Sequence, residues 1–175
     1  LLRNLKGYES IHLNQGSRTK RFETIYTKDV WARDKSQKAK SGLGSEIKNT
    51  EELRLQLPKL IKDLSINSLV DVGCGDWTWM SQIELPCDYL GLDIVQNVVQ
   101  TNKTAYGKTG IDFRRLDAVD EPLPYCTAVL CREVMFHLNF ADAKKLIRNI
   151  KEHADFLLAT TDTAIWFNSN IPTGD

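Results

Sequence analysis

Leu69-Val70-Asp71-Val72-Gly73-Cys74-Gly75-Asp76 is a short apolar strand pattern that runs straight into a glycine-bearing turn, and the second part of the chain repeats that grammar. Tyr89-Leu90-Gly91-Leu92-Asp93-Ile94 reads as a second strand, with a helix from about Gln96 to Tyr106 behind it. A third strand is predicted at Ile111 to Leu116, a fourth at Ala128 to Cys131 and a fifth at Phe156 to Thr160. Between the last two, Phe140 to Glu152 places Ala143, Leu146, Ile147 and Ile150 on one helical face. A short helix is also expected after the glycine turn, ending near Ile83. Short continuous apolar strands joined by amphipathic helices predict a parallel sheet covered on both faces, because each parallel crossover needs a connecting element and takes the right-handed route. The expected fold class is therefore α/β, a doubly wound, mainly parallel Rossmann-like sheet.

Ahead of Ile66 the chain is polar and helical. Arg21 to Arg33 spaces Phe22, Ile25, Tyr26, Val30 and Trp31 as one face of a helix. Asn49 with Glu52 resembles a capping box opening a second helix through Leu53, Leu57, Leu60, Ile61 and Leu64, with Pro58 expected to kink or restart it. Between them, Ser41-Gly42-Leu43-Gly44-Ser45 reads either as a segment folded over a ligand or as a flexible connector. At 175 residues the chain is expected to form one domain, with residues 1–65 as a helical lid segment and 66–175 as the α/β core.

Composition narrows the function classes. Hydrophobic residues at 42% and charged residues at 26% suit a folded globular chain rather than a disordered one. The 23 basic residues balance the 23 acidic ones, so no long-range field gathers nucleic acid or anionic lipid. The basic stretches Arg18 to Arg21 and Lys35 to Lys40 read as solvated surface. Cys74, Cys87, Cys126 and Cys131 show no CxxC spacing, so no metal site is expected, and reduced thiols fit a cytoplasmic location. No apolar run approaches the roughly 20 residues that cross a bilayer, so no membrane partner is expected. Nothing in the pattern dictates an oligomeric state.

In a doubly wound sheet, ligands bind beyond the carboxyl ends of the strands. Three acidic residues stand there: Asp71 in the first strand, Asp93 ending the second and Asp117 after the third. Gly73 and Gly75 let a ligand approach the backbone. An acidic side chain about 20 residues beyond such a turn can accept hydrogen bonds from both hydroxyls of a ribose.

Val70-Asp71-Val72-Gly73-Cys74-Gly75, Leu90-Gly91-Leu92-Asp93, Leu116-Asp117-Ala118 and Val134-Met135-Phe136-His137-Leu138 resemble, in order and strand context, the successive motifs of class I S-adenosylmethionine-dependent methyltransferases. The likeness covers roughly Ser68 to Thr161. It implies S-adenosylmethionine as cofactor and S-adenosylhomocysteine as product. It implies that Asp71 with the backbone of Gly73, Cys74 and Gly75 holds the methionine part, and that Asp93, with Ile94 beside it, grips the ribose. Asp117 would accept from the adenine amino group, with Leu116 or Ala118 against the ring, and Asp76 and Trp77 would extend the loop along the pocket. Asp117 also reads as a loop-capping carboxylate. A nicotinamide-dependent oxidoreductase is the nearest competitor. Thr78 stands where its third glycine would be, and Asp71 would repel a pyrophosphate while complementing an ammonium.

The likeness further implies methyl transfer to a small-molecule or sugar hydroxyl, with an amine or protein side chain as other acceptors. His137 is the candidate base, against a packing or capping role. Arg132 and Glu133 follow the fourth strand as candidate substrate or cofactor contacts, against a surface role. Some bacterial members of the family resemble this chain ahead of the core too, at Trp31, Ser41 to Ser45 and Thr50-Glu51-Glu52-Leu53-Arg54. That predicts a lid, with Arg54 meeting the cofactor's carboxylate. A non-catalytic cofactor-binding module is the alternative function, since fold alone does not guarantee chemistry. Family cores close with two further strands after the fifth, whereas this chain stops at Asp175 shortly after Asn168 to Gly174, so the carboxyl end of the core is expected to be missing.

Overall fold

In the computed structural model residues 16–31, 39–160 and 170–174 are described. The readings at 32–38, Thr161 and 168–169 lie outside them. Five strands form one sheet: β1 (Ser68–Val72), β2 (Asp88–Asp93), β3 (Ile111–Arg115), β4 (Cys126–Cys131) and β5 (Ala154–Ala159). Their spatial order is β3-β2-β1-β4-β5, and every neighbouring pair is parallel. The chain steps outward from β1 to β3, then returns to lay β4 on the other side of β1. The reversal opens a crevice at the β1–β4 boundary, where a parallel sheet has room for a ligand.

Helices α1 (Arg18–Thr27), α2 (Glu51–Asp63), α3 (Gln96–Tyr106) and α4 (Phe140–His153) clothe the sheet. The pleat sends Leu69, Ala128 and Leu130 to one face, with Tyr89 and Phe113, where Leu57 and Ile61 of α2 and Val99 of α3 meet them. Val70, Val72, Leu92, Val129 and Cys131 point the other way, against Leu146 and Ile150 of α4, with Phe22 of α1 at the edge. Both faces are apolar because both are covered, which is why the strands read as continuous hydrophobic runs. Beyond β5 no strand pairs among the described residues, and Phe156 and Leu157 are each 39% exposed.

Three local expectations change. The first helix starts at Arg18, capped by the Ser17 side chain, and ends at Thr27, where Asp29 takes a left-handed turn (φ 49°). The second starts at Glu51 without a capping box: Asn49 instead donates from Nδ2 to the Leu43 carbonyl at 2.7 Å, tying down the glycine-rich segment. It runs unbroken through Pro58. After the glycine turn there is no α-helix but a series of turns ending in a single 3-10 turn, Met80–Gln82, because Trp77, Trp79 and Met80 are drawn into the core.

Candidate functional site

At the switch point a cavity opens beyond the strand ends, and Asp71, Asp93 and Asp117 all line it. The three carboxylates singled out by the sequence therefore share one rim. Asp71 is buried on β1 and accepts a hydrogen bond from the Tyr89 hydroxyl at 2.6 Å. Burial pushes its carboxyl up to about 7, against the Tyr89 hydroxyl and the Arg132 charge, which favour ionisation, while Asp93 opposes it. Asp93 ends β2 with each oxygen on a backbone amide: Gly75 N–H donates to Oδ2 at 3.1 Å and Val95 N–H to Oδ1 at 2.9 Å. Burial outweighs those bonds and pushes Asp93 up to about 6.

The glycine turn is fixed from several sides. The Gly73 and Cys74 amides both donate to the Leu92 carbonyl, at 2.8 and 3.0 Å, lashing the end of β1 to β2. Gly73 has φ 72°, and a β-carbon there would stand 2.5 Å from Val134 Cγ2. Gly75 has φ 57°, and its β-carbon would stand 2.3 Å from Ser41 Oγ. Both positions thus combine left-handed backbone with close approach, which only glycine accommodates. Asn102 of α3, almost wholly buried, donates to the Gly75 carbonyl at 2.7 Å. Cys74 lines the cavity while its thiol sits in the core, where burial pushes its pKa well up.

On the third-strand side, Leu116, Asp117 and Ala118 line the cavity, with Ile94 nearby on the wall. Asp117 Oδ1 accepts from the Val119 amide at 3.1 Å, the loop-capping arrangement, and Oδ2 accepts from Arg18 at 2.5 Å. Arg18 also reaches Asp120 and Asp142, so the start of α1 is pinned to three carboxylates. Arg132 lines the cavity after β4, donates to the Gly44 carbonyl at 2.7 Å and lies over the Trp79 ring at 5.3 Å.

Three predicted contacts fall elsewhere. Trp77 takes left-handed backbone (φ 58°), which swings the indole into the core among Tyr89, Tyr106 and Phe113, off the cavity wall. Asp76 turns from the cavity to the glycine-rich segment and its own loop: it accepts from the backbone amides of Lys40, Ser41 and Thr78. Arg54, in the first turn of α2, donates to the Ile47 carbonyl at 3.2 Å and does not line the cavity, whereas Arg132 does.

The glycine-rich segment lies on the site. Ser41 Oγ accepts from the Asp76 amide at 2.8 Å and meets the Tyr26 hydroxyl at 3.1 Å, and Ser45 also lines the cavity. With Arg18, Phe22, Tyr26 and Trp31, the amino-terminal part supplies one wall. His137, in the 3-10 turn Met135–His137, lines the cavity with its ring 4.9 Å from that of Trp31. The cap of α4 is Asn139, not His137.

Arg18, Tyr26, Tyr89 and Asn102 were not singled out by sequence. Only for Asn102 was a signal present: an amide at helical spacing from Val98 and Val99 on a buried face demands a partner. Among the described residues, no group of three or more His, Cys, Asp or Glu could hold a metal ion, and no helix is long and apolar enough to cross a membrane.

Chemically, two buried carboxylates beside a glycine turn suit a ligand carrying positive charge and hydroxyls. A dinucleotide pyrophosphate would want the N-terminus of a long helix at that turn, and none follows it here.

No protein-family model matches the chain, and no curated protein does. Solved structures do match in fold. The magnesium protoporphyrin IX methyltransferase ChlM from Synechocystis PCC 6803, with bound SAH, superposes at TM-score 0.57 and 19% identity, covering 81% of this chain and 71% of that one. CalS10, an amino pentose methyltransferase from Micromonospora echinaspora, SAM-bound, gives 0.53 and 16%, covering 67% and 53%. The methyltransferase domain of bacterial CtHen1-C gives 0.52 and 15%, covering 59% and 60%. The chain thus spans only about half to three-fifths of the length of the latter two.

Proposed function

We propose that this chain, which has the fold of class I S-adenosylmethionine-dependent methyltransferases, binds that cofactor at the switch-point cavity and serves methyl transfer to a small-molecule or sugar hydroxyl. The observation that carries the reading is the convergence of buried Asp71 and Asp93 on one glycine turn within one cavity. Two carboxylates held at about 7 and about 6 by burial are under-compensated, and a cationic ligand rich in donors relieves both. The donor set therefore fits the group.

Asp71 would face the ammonium, and Arg132 would meet the carboxylate at the same end. Asp93 keeps lone pairs free after its two backbone bonds and would take the ribose hydroxyls. Leu116, Ala118 and Asp117 would bracket the adenine. When bound, the cofactor supplies an electrophilic methyl group on a sulfonium. The chain's own task is then alignment of an acceptor and exclusion of water, which the wall formed by Tyr26, Trp31 and Ser41 supports. His137 lies on the cavity wall and would take the acceptor's proton.

Calorimetric titration with S-adenosylmethionine, S-adenosylhomocysteine and NAD tests the cofactor class. Binding of the first two and not the third is expected; NAD binding alone would overturn the reading. Turnover of labelled methyl donor against a metabolite panel, on the longest chain that contains this sequence, tests catalysis. Tight cofactor binding without turnover by any hydroxyl, amine or protein acceptor would leave a non-catalytic binding module.

A further inference from the structure

We infer that Tyr89 is a positioning residue for the amino-acid end of the cofactor site, its hydroxyl orienting the Asp71 carboxylate and stabilising its charge across 2.6 Å. The inference rests on the cofactor reading above and assigns a role to a side chain that does not itself line the cavity.

The geometry comes from strand register. Parallel pairing sets Asp71 opposite Gly91 and Leu69 opposite Tyr89, so Tyr89 is the diagonal neighbour of Asp71 on the same face of the sheet. With no side chain on Gly91, the space opposite Asp71 is free for the Phe113 ring and for the phenol that reaches past it; a β-carbon on Gly91 would stand 2.6 Å from Phe113. The Tyr89 ring is clamped by Trp77 and Phe113, with centroids 5.6 and 6.0 Å away. A buried tyrosine hydroxyl needs a polar partner, and a buried carboxylate needs a donor. Each meets the other here.

The groups that face Asp71 are few. Tyr89 bonds it from β2, Asp93 opposes its charge from the end of β2, and Arg132 attracts it from beyond β4. The Cys74 and Cys131 thiols feel its charge, and burial keeps both protonated through the neutral range. Arg132 divides its interactions among Gly44, Trp79 and Glu133. Burial and the Asp71 charge push the Tyr89 hydroxyl well up, so it stays a donor while Asp71 titrates.

Tyr89→Phe removes the donor and keeps the ring. Titration with two ligands isolates the effect: S-adenosylhomocysteine, which carries the ammonium and carboxylate, and 5′-methylthioadenosine, which lacks both. The expected result is an affinity loss of about tenfold or more for the first at pH 7, as for a hydrogen bond to a charged group, with the second unchanged. The rise of S-adenosylhomocysteine affinity with pH should also move to higher pH. 3-Fluorotyrosine incorporated at position 89, a stronger donor of nearly the same shape, should move it the other way. Equal losses for both ligands, or no loss for either, would overturn the role of Tyr89. The underlying reading fails separately: wild type would bind neither ligand, or Asp71→Asn would bind S-adenosylhomocysteine as wild type does.

Discussion

A carboxylate removed from water is held back from ionising, and both Asp71 and Asp93 sit in that condition at the cavity wall. An ammonium pairs only with the ionised form of Asp71. Affinity for S-adenosylhomocysteine should therefore climb as pH rises from 6 to 8, flattening once Asp71 is ionised in the free protein. Calorimetry across that range checks it, and a flat profile would remove Asp71 from the ammonium site. On the proposed ribose contact, Asp93→Ala should weaken binding by about 1–3 kcal/mol, because the ribose hydroxyls and the Gly75 amide would lose their acceptor together. An unchanged dissociation constant would remove the ribose contact. These acidic positions were legible in the sequence because Asp71 interrupts one apolar run just before its glycine turn and Asp93 ends another, places where a charge has no reason to be except near a strand end. Tyr89 and Arg18 were not: one acts through a diagonal pair across two strands, the other through carboxylates 99 or more residues away.

Between elements, the glycine turn and the segment from Ala39 to Ser45 form one unit. The Asp76 side chain takes amides of Lys40 and Ser41, while Ser41 Oγ takes the Asp76 amide in return. A reciprocal pair of this kind holds a loop without apolar burial. Ser41→Ala removes one half and the contact to Tyr26, and should speed cofactor dissociation by about fivefold, the kinetic counterpart of roughly 1 kcal/mol. Stopped-flow displacement measures it; excision of residues 40–45 should do more, and an unaltered off-rate in both would show that the segment is no lid. Sequence periodicity anticipated α3 at Gln96–Tyr106 and α4 within a residue, because their apolar spacing is regular. It failed after Gly75, where an expected helix is replaced by turns. There the tertiary demand for Trp77, Trp79 and Met80 in the core outweighs local spacing. Arg54 and Arg132 are equally cationic candidates in the sequence, and only the fold shows that Arg132 lines the cavity while Arg54 turns to the Ile47 carbonyl.

For the whole molecule, the same two carboxylates set how stability varies with pH. Their folded values, about 7 and about 6, lie above the ordinary 3.8, so the folded state holds their protons more tightly than the unfolded chain does. Their contribution to stability is complete below about pH 4 and is lost as pH rises through 6 and 7. Asp142 acts in the opposite sense. Burial tends to raise it, but the Thr173 hydroxyl and Arg18 outweigh that and hold it low, so its contribution is present at neutral pH and lost on acidification. Subtracting Asp71→Asn from wild type isolates the first effect, because asparagine keeps the shape and still accepts from Tyr89. The variant should melt no higher than wild type near pH 4.5, and higher by on the order of 5 °C at pH 8 without ligand. Saturating S-adenosylhomocysteine should reverse the order at pH 8, since only the wild type gains an ion pair from its ammonium. Thermal melts of both proteins at the two pH values, with and without ligand, give the comparison. A site that trades apo stability for cation affinity predicts that crossing; parallel melting curves would mean that burial of Asp71 costs the fold nothing and that its charge does not serve the ligand.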